Sequence, residues 1–199
     1  MRGLSLAAGR RSAGVAALAM VVVMATTGAA SAQQLSEKAV RTFMDYAWSL
    51  TPKKFTKPDG SSILIDRSKR SEVEVPLDNA RNVILAGRMT AHAQICELEK
   101  HQIANYQSMM RRERRSQRWS EQQMVYINQL HLTTVMLLTG QIGVKSTDKG
   151  EKDLKVNPKK ATPAATCSEE QRKRVAKLVE DYVKAEPKYE KKQAKKKSG

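Results

Sequence analysis

Cysteine is scarce in this chain: Cys96 and Cys167 are the two among 199 residues. They form no C-x-x-C pair, no haem-attachment site and no zinc-ligand spacing, which argues against a redox enzyme or a haem protein and implies no cofactor. Three histidines and the lack of any nucleophile–base–orienter set leave hydrolase chemistry without its parts, so the chain reads as a non-enzyme. No self-similar period points to a solenoid. Only one long apolar run occurs, near the N-terminus, so nothing after it reads as membrane-spanning.

That run has the order of a secretory signal. Arg2, Arg10 and Arg11 precede the apolar stretch 15–25, and small residues then lead to Ala30-Ser31-Ala32 before Gln33. The stretch falls short of the ~20 residues that cross a bilayer, and Thr26-Thr27-Gly28 interrupts it. Ser12-Ala13-Gly14 follows the paired arginines where twin-arginine export prefers bulkier apolar residues, so the general route is expected. No cysteine follows the small residues to take a lipid anchor. The expectation is a bacterial periplasmic or secreted protein, with residues 1–32 removed.

The first 32 residues hold three arginines and no acid, so the remaining 167 carry 33 bases against 20 acids, a net charge of +13. Nucleic acid, lipid headgroups and acidic proteins all attract such a surface. Export makes nucleic acid the poorest of these. Residues 33–144 contribute +5 and residues 145–199 contribute +8, so the larger share lies toward the C-terminus. In an oxidising space Cys96 and Cys167 are most simply a disulfide, with free or metal-bound thiols as the alternative.

Periodicity predicts a mainly α protein: a small bundle of about four helices, one of them long, with a short β-hairpin and a disordered basic C-terminal tail. Ser36 can cap a helix carrying Val40, Phe43, Met44, Ala47 and Trp48, which should stop near Thr51-Pro52. Two β-branched runs, 63–65 and 73–75, suggest a hairpin at about 61–76. One long helix is expected from near Asp78 to about Gln117, with Gly87 and Ala91 allowing close approach of a neighbour. Ser120 and Gln123 form a capping box for the next helix, which should end at Gly140 and lie antiparallel to the long one. These elements make up a main domain over 33–144. Residues 145–166 read as a lysine-rich linker, 167–186 as a last helix capped by Ser168 and pinned by the disulfide, and 187–199 as the tail.

Three places could carry chemistry. His92 and Cys96 share a helix face, but a disulfide would remove the thiol. Glu97, Glu99, His101 and His131 resemble a carboxylate–histidine metal set, yet Leu98 occupies the position where the Glu-x-x-His motif needs its acid, and no metal site is assigned. His131 fits a satisfied core histidine. The third place is the run 111–119, with Arg111, Arg112, Arg114, Arg115 and Arg118 beside Trp119. Its guanidiniums can bind phosphate or carboxylate and its indole can stack, or else the cations complement a helix C-terminus and the indole staples the next helix. The expected function is an interaction or structural protein that meets an anionic lipid, lipopolysaccharide or acidic protein through this cluster. The alternative is a metal- or small-ligand-binding bundle with His92, His131 and free Cys96 near its core.

Overall fold

The computed structural model describes residues 35–146, 152–156 and 167–185. The expected signal at 1–32, the tail at 187–199 and most of the linker lie outside the described residues. Ser36 caps the first helix, α1 (Glu37–Leu50), by accepting from the Ala39 N–H at 3.2 Å, and Thr51 turns extended ahead of Pro52. Val40, Met44 and Ala47 of α1 are buried.

The hairpin forms, but between other strands than expected. β1 (Lys54–Thr56) pairs antiparallel with β2 (Ser62–Leu64). The turn between them has Gly60 at φ +83° and an Asp59 carboxylate that accepts from both the N–H and the hydroxyl of Ser61. This turn chemistry pulls Ile63 back toward Phe55. The expected second strand becomes one helical turn, α2 (Arg70–Val73), after which Val75 enters the core together with Val73.

The expected long helix is two helices, α3 (Leu77–Ile95) and α4 (Glu99–Ser116). Between them the Leu98 N–H donates to the Ala93 carbonyl at 2.8 Å and the Glu97 N–H to that of Gln94 at 3.0 Å, the pair of bonds that defines a Schellman turn. Glu97 sits at φ 56°, in the place where glycine is usual. With no glycine or proline to mark it, the break leaves no sequence signal. It also resets the helical phase, so Asn105 and Ser108 point inward where a continuous stripe would have used Gln102.

The Ser120–Gln123 capping box opens α5 (Glu121–Leu138), and Gly140 follows its end at φ +73°. Val125, Tyr126, Ile127, Leu130, His131, Thr133, Thr134 and Val135 of α5 are buried, too many consecutive positions for one stripe, so this helix is enclosed on most sides. It packs on α1 and α3, and α4 packs on α3. Gly87 of α3 makes the closest approach: a Cβ there would lie 2.8 Å from Cβ of Thr134. The expected pairing of α4 with α5 is weak by comparison, because each helix rests mainly on α3.

The polar linker begins as structure too. β3 (Ile142–Ser146) and β4 (Lys152–Val156) form a second antiparallel pair, with Ile142 opposite Val156 and Ser146 opposite Lys152. Ser168 and Gln171 then form the expected capping box of α6 (Glu169–Lys184), which lies against α3 and α4. Cys96 at the end of α3 and Cys167 at the start of α6 are joined by the expected disulfide, 71 residues apart in sequence.

Candidate functional site

The α4–α5 connection divides the arginine run. Arg112 turns toward α6: its guanidinium carbon lies 4.0 Å from the centroid of the Tyr182 ring, and Nη2 donates to the Tyr182 carbonyl. Arg111 and Arg115, four apart on α4, are both engaged in interactions. Arg114 and Arg118 are exposed and belong to no ion pair among the described residues. Arg114 also stands in the last turn of α4, where a cation complements the helix dipole. Arg118 lies 5.0 Å from the centroid of Trp119.

Trp119 occupies the position before the Ser120 cap, with Met124 one turn into α5, the spacing of a hydrophobic staple. The indole is half-buried, and its Nε1 donates to the Glu113 carboxylate at 2.6 Å. The staple position and the Arg118 contact thus fall on one side chain.

Since α4 and α5 diverge from each other over α3, a groove of about 690 Å³ opens between them. The β1–β2 hairpin forms its third wall with Phe55 and Ile63, α4 contributes Tyr106, Met110 and Arg114, and α5 contributes Met124 and Asn128, with Trp119 at the connection. A volume of this order is typical of small-molecule sites, which combine apolar walls with a few placed polar groups. The polar groups here are mostly paired. Lys57 meets Glu121, and Asp59 is held by Ser61, whose hydroxyl and N–H keep its carboxyl below the usual aspartate range. The Tyr106 hydroxyl donates to Asn128 Oδ1 at 2.7 Å, and burial raises its pKa. Arg114 is the lining cation with no ion pair among the described residues.

Tyr106 also connects this groove to a buried polar cluster. Its ring centroid is 5.2 Å from that of His131, which is 1% exposed. Asn105 Nδ2 donates to the Ala86 carbonyl at 2.8 Å and to Thr90 Oγ1 at 2.7 Å. Thr90 Oγ1 also lies 3.0 Å from His131 Nε2, whereas His131 Nδ1 is buried with no hydrogen-bond partner among the described residues. Burial pushes the His131 pKa down to about 4. His131 is thus a core histidine, as expected, but only half satisfied, because its Nδ1 has no hydrogen-bond partner among the described residues.

The metal alternative loses its proposed partners. Cys96 is in the disulfide, His92 is exposed beside it, and His101 lies 3.6 Å from Glu180. Among the described residues no group of three His, Cys, Asp or Glu side chains converges, and no helix is long and apolar enough to cross a membrane.

Sequence reasoning located the arginines and Trp119 but not the groove. Tyr106, Met110 and Arg114 follow at four-residue steps along α4, and Met124 and Asn128 do so along α5. Such steps mark a shared face; only the splay of the helices and the true hairpin register show that the faces stay apart. Compared with protein-family models, with curated proteins and with solved structures, the chain shows no match.

Proposed function

We propose that this chain is an exported, non-enzymatic helical interaction protein of the bacterial periplasm or exterior. It meets an anionic envelope component, such as a phospholipid headgroup, a lipopolysaccharide phosphate or an acidic protein surface, through the end of α4 and the α4–α5 connection. The observation that carries this reading is the pair Arg114 and Arg118, both exposed and outside any ion pair among the described residues, flanking Trp119. A net charge of +13 after residue 32 adds long-range attraction of the same sign. Export is supported by the signal-like order of residues 1–32 and by a disulfide suited to an oxidising space.

The test is co-sedimentation of the processed protein with vesicles containing a fifth anionic lipid, at low and high salt. Binding should weaken as salt screens the charges. An arginine at an anionic surface contributes about 1 kcal/mol, so Arg114→Gln with Arg118→Gln should weaken binding by a factor of about thirty. Salt-insensitive binding, or a double variant that binds like wild type, overturns the assignment of the surface. Protein recovered from a periplasmic extract should begin at Gln33. A second reading, the small-ligand-binding bundle, is favoured by the groove beside these arginines.

A further inference from the structure

The groove has more apolar wall than a headgroup contact needs. Phe55, Ile63, Met110, Trp119 and Met124 are all half-buried and face one space from three separate segments. The fold leaves this surface partly wet although the same residues pack on the core with their other sides. Two of the five are methionines, whose unbranched side chains adapt to a flexible occupant.

The polar groups restrict what that occupant can be. Lys57 and Glu121 neutralise each other, and the Asp59 carboxylate already accepts two hydrogen bonds from Ser61. Arg114 then supplies the lining charge that lacks a counterion among the described residues, and Asn128, whose carbonyl oxygen accepts from Tyr106, has its amide NH₂ to offer as a donor. Both are donors, and together they suit one carboxylate or phosphate. An extended peptide would bring an N–H and a carbonyl with every residue, and outside the Lys57–Glu121 pair the groove offers Arg114 and Asn128 to satisfy them. A bare anion would leave the aromatic and aliphatic walls unused.

We infer that this groove binds a single-chain anionic amphiphile, of which a fatty-acid carboxylate is the simplest member. The apolar chain lies between the hairpin and the two helices, and the head group is met by Arg114 with Asn128. The inference rests on the proposed anionic surface for the sign of the ligand's charge, and adds the apolar chain as the part that is recognised.

The experiment is a titration of the processed protein with octanoate, decanoate and dodecanoate below their micellar concentrations, read by tryptophan emission and by calorimetry. Trp119 lines the groove, so its emission should shift to shorter wavelength on binding, and Trp119→Phe should abolish the shift while the calorimetric signal remains. A fully buried methylene strengthens binding by about fourfold, so affinity should climb steeply along the series. Dodecyl maltoside, which has the same chain and no charge, should bind about tenfold more weakly than dodecanoate, and Arg114→Gln should remove a comparable factor. Inorganic phosphate should produce no shift. Affinity that is flat with chain length, equal binding of the uncharged detergent, or competition by phosphate as effective as by dodecanoate overturns the inference. The vesicle assay separates the two proposals. Salt-sensitive vesicle binding with a flat chain series leaves a surface without a chain site, whereas chain-dependent dodecanoate binding without vesicle binding leaves the groove and removes the membrane surface.

Discussion

Acidification should destabilise this protein through one side chain, His131. Burial holds its pKa at about 4 in the fold, whereas the unfolded chain titrates near the ordinary 6.5. The folded form therefore stays neutral while the unfolded form takes up a proton, so stability falls as the pH drops from about 6.5 toward about 4 and levels off below that. Linkage between these two values gives a loss of about 1.4 kcal/mol at about pH 5.5 and about 2.5 kcal/mol at about pH 4.5, approaching about 3.4 kcal/mol at the acid limit. Against a typical total of about 5–15 kcal/mol the effect is large. Asp59 and Asp66 also lose favourable hydrogen bonds in acid, since serine donors lower both pKa values, but their loss sets in as they protonate, in a more acidic window.

The measurement is urea unfolding, followed by circular dichroism with the disulfide intact, at about pH 7, 5.5 and 4.5, on wild type and His131→Gln. The glutamine keeps a group that can hydrogen-bond Thr90 as donor or acceptor and does not titrate. Its cost at neutral pH cancels, because the quantity read is the change with pH in the difference between the two proteins. That difference should shrink by about 2.5 kcal/mol between pH 7 and 4.5. A difference that stays constant refutes the picture of a neutral, desolvated imidazole.

Three further outcomes are expected. Gly87→Ala places a methyl group 2.8 Å from Cβ of Thr134 and 3.2 Å from the His131 carbonyl, so the α3–α5 crossing must open. Overpacking of about 1–3 kcal/mol should outweigh the gain of about 1 kcal/mol in helix propensity, and the melting temperature should fall by several degrees. Glu97→Gly relieves a left-handed residue in the turn between α3 and α4, and should raise stability by up to about 1 kcal/mol in denaturant melts. Reducing the Cys96–Cys167 bond, which spans 71 residues of sequence, should cost about 4 kcal/mol in the chain-entropy model, measurable as the difference between reduced and oxidised unfolding midpoints.

How far the sequence could be read depended on whether each feature is written locally. Ser36, Ser120 and Ser168 cap their helices as expected because a cap needs only a side chain and the next three residues. Pro52 and Gly140 mark boundaries for equally local reasons. The break at 96–98 left no trace because Glu97, an ordinary helix former, holds a position that glycine usually signals. The hairpin pairs with a strand the alternation does not mark, because Lys54-Phe55-Thr56 carries a single apolar residue whereas Val73-Glu74-Val75 alternates, and the Asp59–Ser61 turn decides the pairing. The strand pair β3–β4 straddles the expected start of the linker, and its period-two signal is only two apolar residues per strand, Ile142 and Val144 facing Val156 and Leu154, amid lysines. The groove depends on three such features at once: the break that lets α4 fold back on α3, the true hairpin register, and the splay of α5.

The same geometry separates the arginines by role. Within α6 only Val179 is fully buried among the described side chains, and burial of one valine yields about 1.5–3 kcal/mol. Fixing a single backbone residue costs about 1–2 kcal/mol, so a 16-residue helix cannot be held by that contact alone. Its capping box and its own hydrogen bonds make the helix; the half-buried Val175, Tyr182 and Val183 add to its docking, and a clamp at each end completes it. The disulfide fixes the N-terminus to the end of α3, and Arg112 grips Tyr182 near the C-terminus by ring and carbonyl together. Arg112 thereby serves the scaffold. Arg114, two positions on, is turned away from α6 by the helical repeat and lines the groove between α4, α5 and the hairpin.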